Sequence, residues 1–338
     1  MQQRTLGRTG RSVSVIGLGT WQLGTDWGTV TEADALSVLE ASAEAGVTFF
    51  DTADVYGDGR SESIIGRFLA AHPDSGITVA TKMGRRAEQV PENYSLENFR
   101  AWLDRSRQNL RVETIDLVQL HCPPTPVYSS DAVYDALDQL VSEGVIANYG
   151  VSVETVDEAL TAIARPGVAT VQIILNAFRL KPLDRVLPAA KEAGVGIIAR
   201  VPLASGLLSG KYTKDTTFAE SDHRNYNRHG EAFDVGETFS GVDFETGVAA
   251  AEEFAQAVAE LRAEWKIDNE ALLTPAKAAL AWITQLPAVS TVIPGARNAD
   301  QALANAAAGS VPELGPEFNA KVRDIYDRYF RAAIHDKW

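Results

Sequence analysis

The chain has 338 residues, 45% of them hydrophobic and 22% charged, the balance of a soluble globular protein with ample material for a core. Against 31 basic residues stand 45 acidic ones, and the net charge of −14 argues against nucleic acid as a partner, because a phosphate backbone needs a basic field. One cysteine, Cys122, excludes an intramolecular disulfide; the N-terminus lacks a signal-peptide core and no apolar stretch reaches the ~18 residues of a membrane helix, so a cytoplasmic protein away from membranes is expected.

The opening segment RTLGRTGRSVSV reads as a hairpin, two short runs flanking Gly7-Arg8-Thr9-Gly10. Short apolar, β-branched runs then predict strands at 14–20, 47–52, 77–82, 116–121, 148–152, 170–176, 195–202 and 288–293. They are apolar on both faces, as buried parallel strands should be. Helix-period segments lie between them. One opens at Thr31 with Leu36, Val38, Leu39 and Ala43 on its apolar side, and another opens at Ser95 and carries Phe99, Leu103 and Leu110. A third carries Val133, Leu137, Leu140 and Val141 and stops at Gly144; two more stop at Pro166-Gly167 and at Gly194. Eight strands alternating with helices imply a single (β/α)8 TIM barrel over residues 1–338, its N-terminal mouth closed by the hairpin. Residues 212–244, after the seventh strand, are polar, aromatic and aperiodic, either a lid or a solvated loop. Residues 314–335 predict a final helix.

A barrel of this kind builds its site at the C-terminal ends of its strands. The second predicted strand ends in Asp51, with Tyr56 five residues on; the third ends in Lys82 and the fourth in His121. Three consecutive strands thus deliver ionisable groups to one rim. A tyrosine, with an ordinary pKa of ~10, is a proton donor that a nearby ammonium makes more acidic. A carboxylate keeps that ammonium charged, and a histidine beside the tyrosine orients a carbonyl or shares the proton. Together they suit proton delivery to a carbonyl oxygen while a hydride reaches the carbon.

Each residue also has a plainer reading. Asp51 alone would serve as a helix cap or ion-pair partner, and Tyr56 as an aromatic under a loop. Lys82 alone would fit a Schiff-base lysine of an aldolase, a reading that leaves the phosphate motif around Arg297 unexplained. His72, His223, His229 and His335 show no metal-ligand spacing, so no metal site is expected. Cys122 follows His121 and by strand alternation should face the helices as a small buried hydrophobe. Trp21, just past the first strand, is expected to line the substrate pocket.

The ordered series LGRTGRSVSVIGLGTWQLG, DTADVYGDGRSES, TKMG, LHCPP, GVIANYGVSV, VPLASGLLSGKY and VIPGARNADQALAN spans essentially the whole chain and resembles the aldo-keto reductase superfamily. The resemblance implies an NADP(H)-dependent carbonyl reductase, reversible toward alcohols, with a tetrad falling on Asp51, Tyr56, Lys82 and His121. It implies cofactor contacts at Gly19, Thr20 and Trp21, and nicotinamide contacts at Ser152 and Gln172. The loop after strand seven would cover the pyrophosphate through Pro202, Leu203, Ser205, Leu207, Ser209 and Lys211, and Gly295, Arg297, Gln301 and Asn305 would hold the adenosine end. A helix N-terminus attracts phosphate, and Arg297 offers a forked cation for a 2′-phosphate, which favours NADP(H) over NAD(H). GLGTWQLG lacks the spacing of a Rossmann fingerprint, and GLLSGKY is one residue short of a P-loop.

Two positions depart from the family pattern. Val153 stands where asparagine is frequent, and Arg200 stands where an aromatic residue would stack on nicotinamide, a task a guanidinium can also perform. The expected partner is a small carbonyl or alcohol. The alternative is an NADP(H)-binding sensor or regulatory subunit with weak turnover. The sequence does not disclose the substrate or the oligomeric state.

Overall fold

The computed structural model describes residues 1–24 and 30–338. Strands β1 (Gln3–Thr5) and β2 (Ser12–Ser14) pair antiparallel as the expected hairpin. The parallel sheet follows: β3 (Leu18–Gly19), β4 (Phe49–Asp51), β5 (Thr78–Met83), β6 (Leu117–His121), β7 (Tyr149–Ser152), β8 (Val168–Ile174), β9 (Gly196–Arg200) and β10 (Val289–Val292). Each pairs with its sequence neighbour, and parallel bridges Ile16–Val292 and Gly19–Gly295 join the two ends. The result is the predicted eight-stranded barrel.

Helices α1 (Glu32–Glu44), α2 (Arg60–Ala71), α3 (Leu96–Leu110), α4 (Asp131–Ser142), α5 (Val156–Ile163) and α6 (Val186–Ala193) connect the first strands. Local chemistry explains their ends. Thr31 and Thr155 each form a capping box, with Asp34 and Glu158 respectively, and Gly194 closes α6 in the left-handed conformation. After β9 come the short α7 (His223–Tyr226), then α8 (Phe244–Glu264) and α9 (Pro275–Thr284) before β10, and α10 (Ala299–Ala307) after it. The final helix is divided at Phe330 into α11 (Gly315–Tyr329) and α12 (Arg331–Ile334).

Strand alternation stacks the barrel interior in layers. Phe49, Ala80, Leu117 and Ile198 form an apolar cluster with Leu6 and Val13 of the hairpin and Ile293. Two residues further along the same strands stand Asp51, Lys82 and Gln119. The apolar layer is thus the floor on which the polar layer rests. The hairpin is anchored under that floor: Arg8 donates to the carbonyls of Arg165, Pro166 and Val168 at 2.9, 2.8 and 3.0 Å and twice to Ala193. Arg4 donates to Leu286 and Val289 carbonyls at 3.0 and 2.6 Å. Only glycine fits at position 7, where φ is +50° and an added Cβ would lie 2.1 Å from the Ala169 carbonyl oxygen.

The expected strand at 14–20 is divided. Ser14 belongs to the hairpin and only Leu18–Gly19 joins the sheet. The strand expected at 170–176 runs from Val168 to Ile174. Residues 212–244 are not a solvated excursion: Tyr212, Phe218, Phe239 and Phe244 form one aromatic cluster, and Phe239 is fully buried.

Candidate active site

Asp51, Lys82 and His121 emerge at the same end of β4, β5 and β6, and α2 begins soon after Tyr56, at Arg60. The turn between them uses positive φ at Gly57, Asp58 and Gly59. Asp51 and Lys82 are 2% and 1% exposed. Lys82 Nζ forms an ion pair with Asp51 Oδ1, donates to the Thr52 carbonyl at 3.0 Å, and lies 3.4 Å from Tyr56 Oη. Asp51 Oδ2 accepts from Gln119 Nε2 at 3.0 Å and from Gln172 Nε2 at 2.8 Å, and Gln172 also donates to Gln119 Oε1 at 3.1 Å. The carboxylate thereby accepts from three donors. Register places His121, Ser152 and Gln172 side by side on β6, β7 and β8.

Electrostatics sorts these groups. Burial raises the Tyr56 pKa, the Lys82 ammonium opposes that rise, and the net position is above the ordinary value. The sequence suggested a tyrosine made more acidic than usual; here the lysine offsets only part of the burial effect, and Tyr56 holds its proton at neutral pH. For Lys82, burial alone would lower the pKa, but the Asp51 carboxylate and Tyr56 raise it, so the ammonium stays charged. His121 is pushed well below its usual range by burial and then by Arg85, Lys82 and Arg200, so the imidazole is neutral. Its Nδ1 is buried without a hydrogen-bond partner. Asp54, 1% exposed, has neither carboxyl oxygen hydrogen-bonded, and burial followed by Glu62 raises its pKa to about 7.

A cavity of about 860 Å³ runs from this cluster to the start of α10, within the usual range for small-molecule sites. It is lined by the tetrad positions and by Gly19, Thr20, Trp21, Ser152, Gln172, Arg200, Pro202, Leu203, Ser205, Ser209, Lys211, Gly295, Arg297, Gln301 and Asn305. Leu207, expected among the cofactor contacts, is not among the lining residues: it is fully buried and packs against Gly247 of α8. At the far end Asn298 caps α10, Gln301 Oε1 accepts from the Arg297 amide at 2.9 Å, and Asn305 Nδ2 donates to the Gly295 carbonyl at 3.1 Å. These bonds order the loop that presents Arg297.

At the near end Trp21 stacks on Tyr56 with ring centroids 6.1 Å apart, and His223 and Phe233 of the 212–244 segment approach Trp21 at 5.7 and 5.9 Å. That segment therefore contributes to the cavity wall.

Cys122 corrects an expectation. Its φ is +47°, which breaks strand alternation one residue past β6, and its Sγ lies 3.4 Å from Ser152 Oγ and 3.8 Å from Arg200 Nη2, on the cavity side. Residues absent from the sequence reading include Gln119, buried behind the cavity and bonded to Asp51 and Gln172, and the rim pair Arg85–Glu154, at 3.1 Å. Gln119 was legible, since it lies two residues before His121 on the inward face. Arg85 and Glu154 sit beyond strand ends, where no period marks them. Arg200, at the end of β9, forms an ion pair with Glu237 and donates to the Val153 carbonyl at 3.0 Å. Val201, Ala204 and Ser205 follow with φ of +52°, +48° and +55°, a strained passage of the kind that clusters at functional sites.

Comparison with known proteins places this geometry. The family model described as the aldo/keto reductase family matches residues 15–327. Aldo-keto reductase YhdN of Bacillus subtilis (strain 168) is 29% identical over 273 residues, which cover 80% of this chain and 82% of that protein. The structure of the glycerol dehydrogenase AKR11B4 from Gluconobacter oxydans superposes with a TM-score of 0.78 at 29% identity, over 97% of this chain and 96% of that one. An aldo/keto reductase from Klebsiella pneumoniae, solved in complex with NADP and acetate, shares the fold with a TM-score of 0.70 at 20% identity over 96% of both chains.

Proposed function

The chain belongs to the aldo/keto reductase family, and on that premise we propose that it is a cytoplasmic NADPH-dependent reductase of small aldehydes or ketones, running in reverse on the corresponding alcohols. The observation that carries the reading is the connected series Asp51–Lys82–Tyr56 beside a neutral His121 at one end of a cavity whose other end holds Arg297. The residues present fit a nicotinamide dinucleotide. Gln172 spends its amide N–H groups on Asp51 and Gln119 and so turns its carbonyl oxygen to acceptor duty, suited to a carboxamide, with Ser152 beside it. Lys211 and Arg297 supply cations along the cavity, and the Klebsiella relative was solved with NADP.

Reduced nicotinamide supplies the hydride for the carbonyl carbon. Tyr56 Oη delivers the proton to the carbonyl oxygen, so that carbon gains the hydride, oxygen gains the proton, and the product is the alcohol. The phenolate left behind is stabilised by the Lys82 ammonium. Asp51 keeps that ammonium charged and is itself held by Gln119 and Gln172. Neutral His121 offers an N–H to the carbonyl oxygen without introducing a charge that would compete with Lys82. Trp21, His223 and Phe233 shape the approach and exclude water. The Schiff-base reading of Lys82 fares worse, because a lysine held as the ammonium is a poor nucleophile.

The test is consumption of NADPH over a panel of aldehydes and ketones, with NADH run alongside. Turnover of some carbonyls with NADPH supports the reading. Tight NADPH binding with no turnover on any of them would replace it with the sensor reading.

A further inference from the structure

We propose that Trp338 is a positioning residue of the active site, one that clamps residues 234–241 against the barrel and, through Glu237, fixes Arg200 in the cavity wall.

The indole is 7% exposed and has three separate attachments. Its Nε1 donates to Asp234 Oδ2 at 3.1 Å. Its ring lies over the guanidinium of Arg179, 4.0 Å from Cζ to the ring centre, and Arg179, itself 2% exposed, donates to the Glu154 carbonyl at 2.9 Å. Its edge occupies space left by two glycines. A Cβ on Gly236 would lie 2.1 Å from Arg179 Nη1 and 3.1 Å from Trp338 Cζ2, and one on Gly241 would lie 2.5 Å from Trp338 Cη2. The segment is therefore shaped around this ring.

The segment also needs holding. Phe239, Ser240 and Gly241 are consecutive residues with φ of +51°, +56° and +74°. For a phenylalanine this is an outlier conformation, which persists only where surrounding contacts over-determine it. Those contacts come from three places: the Trp338 ring; Ser205, whose Oγ donates to the Glu237 carbonyl at 2.6 Å and accepts from the Phe239 amide at 3.0 Å; and Asn176, which donates to Ser240 Oγ at 3.3 Å and to the Val201 carbonyl at 3.0 Å. Asp234 links clamp to chemistry. One of its carboxylate oxygens receives the Trp338 N–H, and the other caps the turn Val235–Glu237 through the Gly236 amide at 2.6 Å. At the end of that turn Glu237 pairs with Arg200. Arg200 stands at the cavity wall beside Cys122, near enough to Tyr56 and His121 for its charge to act on both.

Removing the ring opens a void beside a strained segment, which then samples released conformations in which Glu237 and Arg200 separate. Ligand binding draws it back. The cost thus falls on apparent affinity, in proportion to the fraction of molecules held in the bound arrangement, and saturating cofactor restores turnover.

The experiment is hydrogen–deuterium exchange on the full chain, which does not depend on the reductase reading, together with NADPH and substrate kinetics, which do. In Trp338→Ala, amide exchange should rise about 10-fold or more in residues 234–241 and stay unchanged in β4–β6, with the KM for NADPH rising roughly 10-fold and kcat changing less than about 3-fold. Trp338→Phe, which keeps a ring over Arg179 but lacks the N–H, should fall between wild type and alanine. Glu237→Gln should raise the KM without raising exchange at 239–241. A uniform rise in exchange across the barrel, or a folded Trp338→Ala with wild-type exchange in 234–241, overturns the proposal. If Trp338→Ala does not fold, a Trp338→Phe variant indistinguishable from wild type in both exchange and KM does the same. An enzyme inactive in every form, yet with localised exchange, would leave the clamp standing and reject the reductase reading instead.

Discussion

On one side of the cavity, Asp51, Lys82 and His121 stand at the ends of three neighbouring strands, and Asp51 is held inside the barrel by an ion pair with Lys82 and amide hydrogen bonds from Gln119 and Gln172. On the other side, Arg200 is fixed by Glu237, which arrives on a segment that runs through left-handed conformations at Phe239 and Ser240. The first side draws its geometry from the sheet, whose two-residue period decides direction and whose ladder forbids drift. The second draws its geometry from tertiary contacts made far along the chain. In the reaction proposed above, the groups that support proton transfer lie on the rigid side, and groups that wrap a ligand lie on the side whose shape can be released.

Four substitutions break or sharpen that contrast. The largest effect is expected from Tyr56→Phe, which should lower turnover by about 10²–10⁴-fold, the usual contribution of a general acid, while fluorescence titration shows unchanged NADPH affinity. Retained turnover would remove the proton-donating role from the rigid side. Next is Lys82→Met. It leaves Asp51 charged, buried and supported by two amides only, which should cost about 3–5 kcal/mol in chemical denaturation, most of it recovered in the double variant with Asp51→Asn. A small cost would mean that the interior is wetter and looser than its contacts indicate.

Third is Asp54→Asn, which probes the same side by pH. The folded carboxyl titrates near 7 against an ordinary 3.8, so folding favours its protonated form. The stability this proton supplies is complete below about pH 4 and is lost as the pH rises to about 7. The asparagine variant should therefore gain stability relative to wild type between about pH 5 and pH 8, by up to about 3–4 kcal/mol at the upper end, read as a difference in denaturation midpoint. A gain independent of pH would show that Asp54 finds a partner. The smallest effect is expected at the far end of the cavity, away from both sides. Arg297→Met should raise the KM for NADPH about 10–100-fold and leave the KM for NADH nearly unchanged, the worth of one charged hydrogen-bonding group.

The same contrast explains what could be read from the chain. Asp51, Lys82 and His121 were legible because each closes a run whose alternation fixes which way the side chain points. Gln119 obeys the same rule and was within reach. Cys122 was misread because alternation was carried one residue past the end of β6, into a left-handed residue that turns the side chain to the cavity. Residues 212–244 have no period because their contacts are with distant partners: Trp21 with His223, Arg200 with Glu237, Trp338 with Asp234. Leu207 was assigned by its place in a motif, and packing against α8 took its side chain inward. Eight strands and their order followed from local signals, whereas the division of the first strand depended on hairpin pairing that only the closed barrel completes.

That hairpin bears on how the molecule comes to be made. Its residues are synthesised before the barrel strands, yet the carbonyls that Arg8 binds lie at positions 165, 166, 168 and 193, and those that Arg4 binds at 286 and 289. Contacts of such separation close late, because a long loop must be ordered before they return anything. A segment made before every barrel strand is therefore among the last to find its place, and the barrel stays open at its base until β10 has been made.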